Sequence, residues 1–327
     1  NLGSTMTEKV YGQQVLKLLQ YQDYANAYAD RLTYTDEQLE EAYQADTKTY
    51  DKASWEYVVV SGAAESTTDA DGNTVQPTDE ENEAAKAAAK ETADKILAAY
   101  KAGTSLESAA GNYEKASYYS SDSTTYYDGT TGNWLFDGAR KSGDTAVLEV
   151  GSSYYVALFH SCGREEYNTV DVRHILIQPE SGTLSTDDEG YDAEQEELKA
   201  AARTKAEEIL AQWKSGEATE DSFAQLAMEN SADGSKYDGG LYTRVTKGWA
   251  VEEFNDWCFD ASRKDGDTGI VDTTYGSHVM YFVGYDLPAW AASVTSDLQE
   301  KAASEWSTAL SENADVQQSD FGMKFVG

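Results

Sequence analysis

The feature that most constrains this chain is that it repeats itself. Residues 90–103, KETADKILAAYKAG, return as RTKAEEILAQWKSG at 203–216, an offset of 113. WLFDGARKSGDT at 134–145 returns as WCFDASRKDGDT at 257–268, an offset of 123. EYVVVSG at 56–62 stands where RHILIQP stands at 173–179, an offset of 117. Drifting offsets mean insertions and deletions between two copies of one unit, read in the order strand, helix, loop, helix, strand, strand. Two copies of about 115 residues make a pair of similar domains, not a solenoid. That agrees with a length of 327 residues, which by itself suggests about two domains.

Helical segments flank the repeat. Val10, Leu16, Leu19 and Tyr24 fall at roughly helical spacing, and Thr35-Asp36-Glu37-Gln38 is a capping box opening a second helix with Leu39 and Tyr43 on one face. After Pro288, residues Trp290, Val294, Leu298, Ala302, Trp306 and Leu310 recur every four positions, which predicts an amphipathic helix of about 20 residues. Neither terminus is long enough to build a core alone. The two are expected to pack together as one helical module, with the repeat inserted between them.

Apolar residues make up 40% of the chain and aromatics 12%, enough for packed cores, and no run approaches the ~18 apolar residues of a membrane span. The net charge of −34 argues against nucleic acid or an anionic membrane surface as partner, because phosphates would be repelled. Cys162 and Cys258 are too few for a disulfide framework or a zinc site, and both are read as core thiols. The chain begins at Asn1, so a leader or anchor ahead of it stays open.

The copies differ where chemistry could sit. In VDVRHILIQ (170–178) a histidine, His174, interrupts a run that otherwise reads as a buried strand. The second copy holds His174 and His278, where the first has Tyr57 and either Tyr154 or Tyr155. The first also lacks about a dozen residues corresponding to 240–254. A shared scaffold with paired polar residues in one copy alone is the pattern of a site grafted on a fold. His160, at the end of the first copy, has no such partner and reads as structural.

The series VRHILI, KAEEILAQWKSGE, FAQLAMENSADGS, YDGGLY, VEEFNDWCF and KDGDTGIVDTTYGSHVMYFVG, over residues 168–286, closely resembles the parvulin-type peptidyl-prolyl isomerases. The likeness extends more weakly to 53–160 through the repeat, and the flanking helices resemble the chaperone module of extracytoplasmic foldases of the PrsA and SurA kind. The resemblance implies an α+β fold of two parvulin-like domains, each a four-stranded antiparallel sheet wrapped by helices, plus a helical module. The expected boundaries are 1–52 for the N-terminal helical segment, 53–165 for a degenerate parvulin-like domain, 168–286 for the competent isomerase domain and 287–327 for the C-terminal helix.

By the same resemblance, His174, Asp233, Thr273 and His278 form a polar wall facing the substrate carbonyl, with the two histidines hydrogen-bonded to each other. Leu241, Ala250 and Phe254 form the proline pocket, with Tyr275 at its rim and Trp249 beside it. The sequence departs from the family at two points. Ala250 stands where Met is common, and the usual Gly-Gly-Asp-Leu-Gly turn reads Gly239-Gly240-Leu241-Tyr242. Asp233 occupies a position held in the family by Cys or Asp, which implies an electrostatic role and not a nucleophilic one. The groove segment offers only Arg244 and Lys247 as nearby cations before Arg263, so no phosphorylated residue before proline is required.

The implied function is a foldase acting outside the cytoplasm on unfolded or newly exported polypeptides with X–Pro bonds. No cofactor, metal or nucleic acid is expected. A membrane anchor outside the given sequence and a homodimer through the helical segments stay open. The rival of another class is a non-enzymatic chaperone whose parvulin-like domains only hold unfolded segments. A third reading, a structural or adhesive surface protein, fits the 23 tyrosines and the acidity but leaves the one-sided histidines unexplained.

Overall fold

The structure is a computed structural model that describes residues 8–313; residues 1–7 and 314–327 of the expected terminal segments lie outside the described residues. Contacts divide the chain into two units, Tyr34–Glu165 and the remainder. The expected N-terminal segment 1–52 is therefore shared between them. Helix α1 (Glu8–Ala29) belongs to one unit, while α2 (Asp36–Ala45) and α3 (Thr47–Tyr50) belong to the other. The capping box forms at the start of α2: Gln38 N donates to Thr35 Oγ1 at 3.3 Å, and Thr35 N donates to Gln38 Oε1 at 2.9 Å.

The unit Tyr34–Glu165 continues with β1 (Lys52–Val60), a minor hairpin of β2 (Thr67–Thr68) and β3 (Thr74–Val75), then α4 (Asp79–Lys101) and α5 (Leu106–Ala110). It closes with β4 (Ala116–Thr125), α6 (Thr130–Leu135), β5 (Thr145–Val150) and β6 (Ser153–Gly163). The main sheet is antiparallel in the order β4-β1-β6-β5. Strand alternation splits its side chains between two cores. Val58, Val60, Val156 and Leu158 pack with Ile96 and Leu106 of the long helices. Trp55, Ala157 and Phe159 pack on the other face with Leu135 and Phe136.

The other unit runs β7 (Asn168–Ile177), α7 (Tyr191–Ser215), α8 (Glu220–Asn230), a 3₁₀ turn at Gly234–Asp238, β8 (Leu241–Val245), α9 (Glu252–Cys258), β9 (Thr268–Thr273) and β10 (Gly276–Pro288). Its sheet order is β8-β7-β10-β9, again antiparallel. Ile175 and Val279 face α7 and α8; Val172, Met280 and Phe282 face α9. The C-terminal helix α10 (Ala289–Asn313) follows, and Tyr21 and Tyr28 of α1 stack on its Trp306 with ring centroids 6.0 and 5.6 Å apart. Leu16, Leu19 and Tyr24 do not form the buried face of α1; all three are exposed, and the tyrosines of the adjoining stripe make the contact.

The repeated WxFD…RKxGDT segment folds the same way twice. Arg140 lies over Trp134 and donates to its carbonyl at 3.1 Å, and Arg263 does the same with Trp257. Asp144 and Asp267 each accept from a lysine amide at 2.9 Å, closing the turn before the last two strands. The repeat read three strands per copy, and the fourth, β4 or β8, is the sheet edge in each unit, where the copies diverge most. Cys162 is a correction. It is exposed, because the end of β6 runs past the core, whereas Cys258 is buried. Among the described residues no helix is long and apolar enough to cross a membrane.

Candidate functional site

His174 and His278 lie on neighbouring central strands, on the sheet face beneath α9. Both are buried, at 3% and 5% exposure, and their Nδ1 atoms are 3.1 Å apart. The rings stack at 5.3 Å, and the edge of Phe254 caps both from α9 at 5.5 and 5.6 Å. A histidine survives inside this strand because each ring nitrogen has a partner. His174 Nε2 lies 3.2 Å from Ser235 Oγ and 3.3 Å from Asp233 Oδ1, and His278 Nε2 lies 2.9 Å from Thr273 Oγ1. Among the described residues no buried side-chain polar atom lacks a hydrogen-bond partner.

The loop carrying Asp233 is fixed by local chemistry. Ser231 Oγ accepts from the amides of Leu176 and Asp233, and Ala232 N donates to Leu176 O, lashing the loop to β7. Asp233 caps the 3₁₀ turn, accepting at Oδ1 from Ser235 N at 2.8 Å. Arg173, on the opposite face of β7 from His174, reaches the carbonyls of Asp238 and Gly239 and pairs with Glu220. Gly239 and Gly240 both have left-handed φ, +65° and +75°. A Cβ on Gly240 would sit 2.3 Å from the His174 carbonyl. This close approach lets Gly240 O accept from His174 N at 2.9 Å.

The carboxylate sets the protonation pattern of the whole chain of groups. Asp233 Oδ1 also accepts from Ser235 Oγ at 2.6 Å and Tyr242 OH at 2.9 Å. The hydrogen bond from His174 chiefly holds its carboxyl far below the usual range; burial opposes this, and the Ser235 and Tyr242 donors reinforce it. An ionised carboxylate only accepts, so His174 carries its proton on Nε2. The two Nδ1 atoms share one hydrogen bond, and His278 Nε2 shares another with the Thr273 hydroxyl. Thr273 Oγ1 in turn accepts from Tyr275 N at 3.1 Å. One continuous chain of contacts thus runs from Thr273 through both histidines to Asp233. Burial, reinforced by the neighbouring His174, depresses His278 to about 4, so it is neutral at pH 7.

His174, Asp233, Thr273 and His278 therefore converge, with Phe254 directly against the histidines. Ala250 is half-buried in the same apolar cluster. Trp249, 52% exposed, packs its ring 4.7 Å from Tyr242 and 6.4 Å from Phe254, and Tyr275 stands exposed beside Thr273. Leu241 is a correction. It pairs with Arg173 while Tyr242 pairs with Val172, so alternation puts Leu241 on the sheet face away from the histidines. Tyr242 instead shares the histidine face, its ring 5.3 Å from His174. Sequence reasoning missed Tyr242 and Ser235. The first was legible: matched position by position against Gly-Gly-Asp-Leu, the leucine falls on Tyr242.

The family model of the PPIC-type PPIase domain matches residues 156–283, a span that contains β7, β8 and β9 whole and most of β10. Among solved structures, the chain is similar to the peptidylprolyl isomerase PrsA from Bacillus anthracis, with 19% identity over 48% of this chain and 64% of that one and a TM-score of 0.28. It is also similar to the SurA-like chaperones PEB4 and Cj1289, the latter described as periplasmic, from Campylobacter jejuni, with 22% identity over 46% and 56% and a TM-score of 0.26. NmPin, a parvulin of Nitrosopumilus maritimus, is 26% identical over 36% of this chain and 98% of its own, with a TM-score of 0.25. The chain thus spans less than two thirds of the first two. No curated protein matches.

Proposed function

Because the chain carries a PPIC-type PPIase domain, the parvulin domain, over residues 156–283, we propose that it is a peptidyl-prolyl cis–trans isomerase of extracytoplasmic proteins. The carrying observation is the closed hydrogen-bond chain Thr273–His278–His174–Asp233 against the aromatic wall of Phe254 and Tyr242. Amide resonance sets a rotation barrier of ~18–20 kcal/mol, and no covalent step is needed to lower it. Each ~1.4 kcal/mol by which the groove prefers the twisted amide over the planar one speeds rotation about tenfold.

The residues divide that task. Phe254, Ala250, Tyr242 and Trp249 receive the pyrrolidine ring and keep water from solvating the planar ground state. The fixed negative charge of Asp233 faces the prolyl amide and disfavours the partial negative charge that resonance places on its oxygen. As rotation breaks resonance, that charge recedes. The histidines and Thr273 hold Asp233 in place without exchanging protons with substrate. Clients are unfolded polypeptides, and phosphorylation is not required: Arg244 is engaged by Asp286 and Gln299, and Lys247 lies over Tyr167. We take residues 53–165 as a degenerate parvulin-like domain on the strength of the shared strand order, and α1 with α10 as the helical module.

Refolding of a proline-limited client separates this reading from a purely holding chaperone. The isomerase reading expects a faster slow phase with the wild type and not with Asp233→Ala, while both suppress aggregation alike. Aggregation suppression with no acceleration by the folded wild type would leave only the chaperone.

A further inference from the structure

The strand that carries Tyr242 is irregular at one point. In the register of β8 on β7, Tyr242 faces Val172 and Val245 faces Val170, so Thr243 and Arg244 together oppose the single residue Asp171. This is a β-bulge. Residues three apart on a regular strand point to opposite faces, yet Tyr242 and Val245 both join the apolar cluster that holds Val172 and Phe254. The bulge thus lets β8 keep Val245 in the core while Tyr242 lies on the histidine face, its hydroxyl donating to Asp233 Oδ1 at 2.9 Å.

Arg244 sits in the bulge with a φ of +52°, and among the described residues other than glycine only Ala218 shares a left-handed φ. A residue with a Cβ stays in that region only where its surroundings hold it. Arg244 is held at both ends. Its amide donates to Asp171 Oδ1 at 2.8 Å. Its guanidinium lies 3.5 Å from Asp286 Oδ2 and donates to Gln299 Oε1 of α10 at 3.3 Å. Gln299 is buried, and its side-chain amide donates to the Leu32 carbonyl, just beyond α1, at 3.2 Å. A cleft of about 340 Å³ lined by Thr243, Thr246, Ala292, Ser293 and Ser296 lies between β8 and α10, and the Arg244 side chain spans from one to the other. The sibling sheet has the bulge without this strap. Asp122 and Ser123 of β4 oppose Ser54 of β1, which stands where Asp171 stands in β7. Neither Asp122 nor Ser123 has a left-handed φ, and Ser54 Oγ donates to Asp122 Oδ1 at 3.1 Å within the sheet itself. The left-handed arginine tied to a helix goes with the copy that carries the histidines.

We propose that Arg244 is a positioning residue: strapped to α10 through Gln299, it sets the bulge that holds Tyr242 against Asp233, so the packing of α10 on β8 controls the geometry of the groove. A β8 that relaxed to regular pairing would carry either Tyr242 or Val245 to the other face. Burial of Val245 decides which one leaves, and Asp233 then loses the Tyr242 donor. The rate effect of the strap rests on the isomerase reading of this groove; the contact between Tyr242 and Asp233 is read without it.

The test compares the full chain with Arg244→Gly, Gln299→Ala, Tyr242→Phe and the double variant Arg244→Gly/Tyr242→Phe. Glycine accepts the left-handed φ, so Arg244→Gly removes the strap without straining the bulge. Gln299→Ala cuts the same strap from the helix side and leaves Arg244 in place, which keeps the test open if one variant does not fold. The ¹³Cζ resonance of Tyr242 and the ring ¹⁵N resonances of His174 report the contact, and exchange NMR on an unphosphorylated Ala-Pro peptide reports the rate. Arg244→Gly and Gln299→Ala are each expected to move these resonances and to slow catalysed exchange about tenfold. In the Tyr242→Phe background Arg244→Gly should slow it little further, because the contact it positions is already gone; a merely structural role would lower the rate in both backgrounds alike. Resonances unmoved in the folded single variants, or rate losses that add in the double variant, would overturn the proposal. Moved resonances in a wild type and variants that show no catalysed exchange would support the strap and sink the isomerase reading instead.

Discussion

Acidification should loosen the His174/His278 sheet through His278. Burial lowers this imidazole from an ordinary 6.5 to about 4 in the folded chain. Between those values the unfolded chain binds a proton that the folded chain does not, so stability falls as pH falls, and its contribution is complete above about pH 6.5. At ~1.36 kcal/mol per unit, the full effect is about 3 kcal/mol, of which about 2 is lost by pH 4.5. Asp233 acts in a lower window: its folded value is depressed, so its contribution is present above the ordinary carboxylate range and lost as pH falls below it. The assay is urea unfolding followed on β7 and β10 amides at pH 7, 6, 5 and 4.5, in wild type and His278→Gln. The wild type should lose about 2 kcal/mol more than the variant across that range. Equal slopes, or a His278 ring titrating near 6.5, would refute the reasoning.

Three further outcomes follow from the geometry. Gly240→Ala adds a Cβ 2.3 Å from the His174 carbonyl at a φ of +75°, and chemical unfolding should register a loss of about 3 kcal/mol or more. Tyr242→Phe removes one donor from Asp233 while His174 and Ser235 remain; a cost of about 1.5 kcal/mol is expected, with the His174 Nε2 proton still on that nitrogen by ¹⁵N shift. Phe254→Ala opens a cavity under both histidines and should cost about 3–5 kcal/mol in thermal unfolding, along with weaker binding of prolyl peptide.

Much of the fold was legible because it is written twice. The Trp–Arg–Asp turns at 134–145 and 257–268 recur in sequence and recur bond for bond. The edge strands were not legible, since β4 is a polar run, exposed along much of its length, that carries no matching segment in the other copy. In the site, His174 and His278 announced themselves as polar residues in apolar strands present in one copy only. Leu241 misled because the resemblance was carried onto the leucine itself where alternation decides the face, and the side chain that reaches His174 is the tyrosine beside it. Ser235 was hidden for a different reason: it lies inside the 3₁₀ turn that Asp233 caps, its amide donating to that carboxylate, and only the folded turn brings its hydroxyl within 3.2 Å of His174. Helix α1 shows the limit of spacing, because its leucines repeat at helical intervals yet face outward.

The central claim is that the groove around His174 and Asp233 turns the X–Pro bond. Exchange NMR on an unphosphorylated Ala-Pro peptide, with catalytic amounts of wild type, His174→Ala and Asp233→Ala, tests it most directly. Cis–trans exchange cross-peaks that appear with the wild type and fade with both variants are predicted. Exchange unchanged by either substitution, or absent with the folded wild type, would contradict the account.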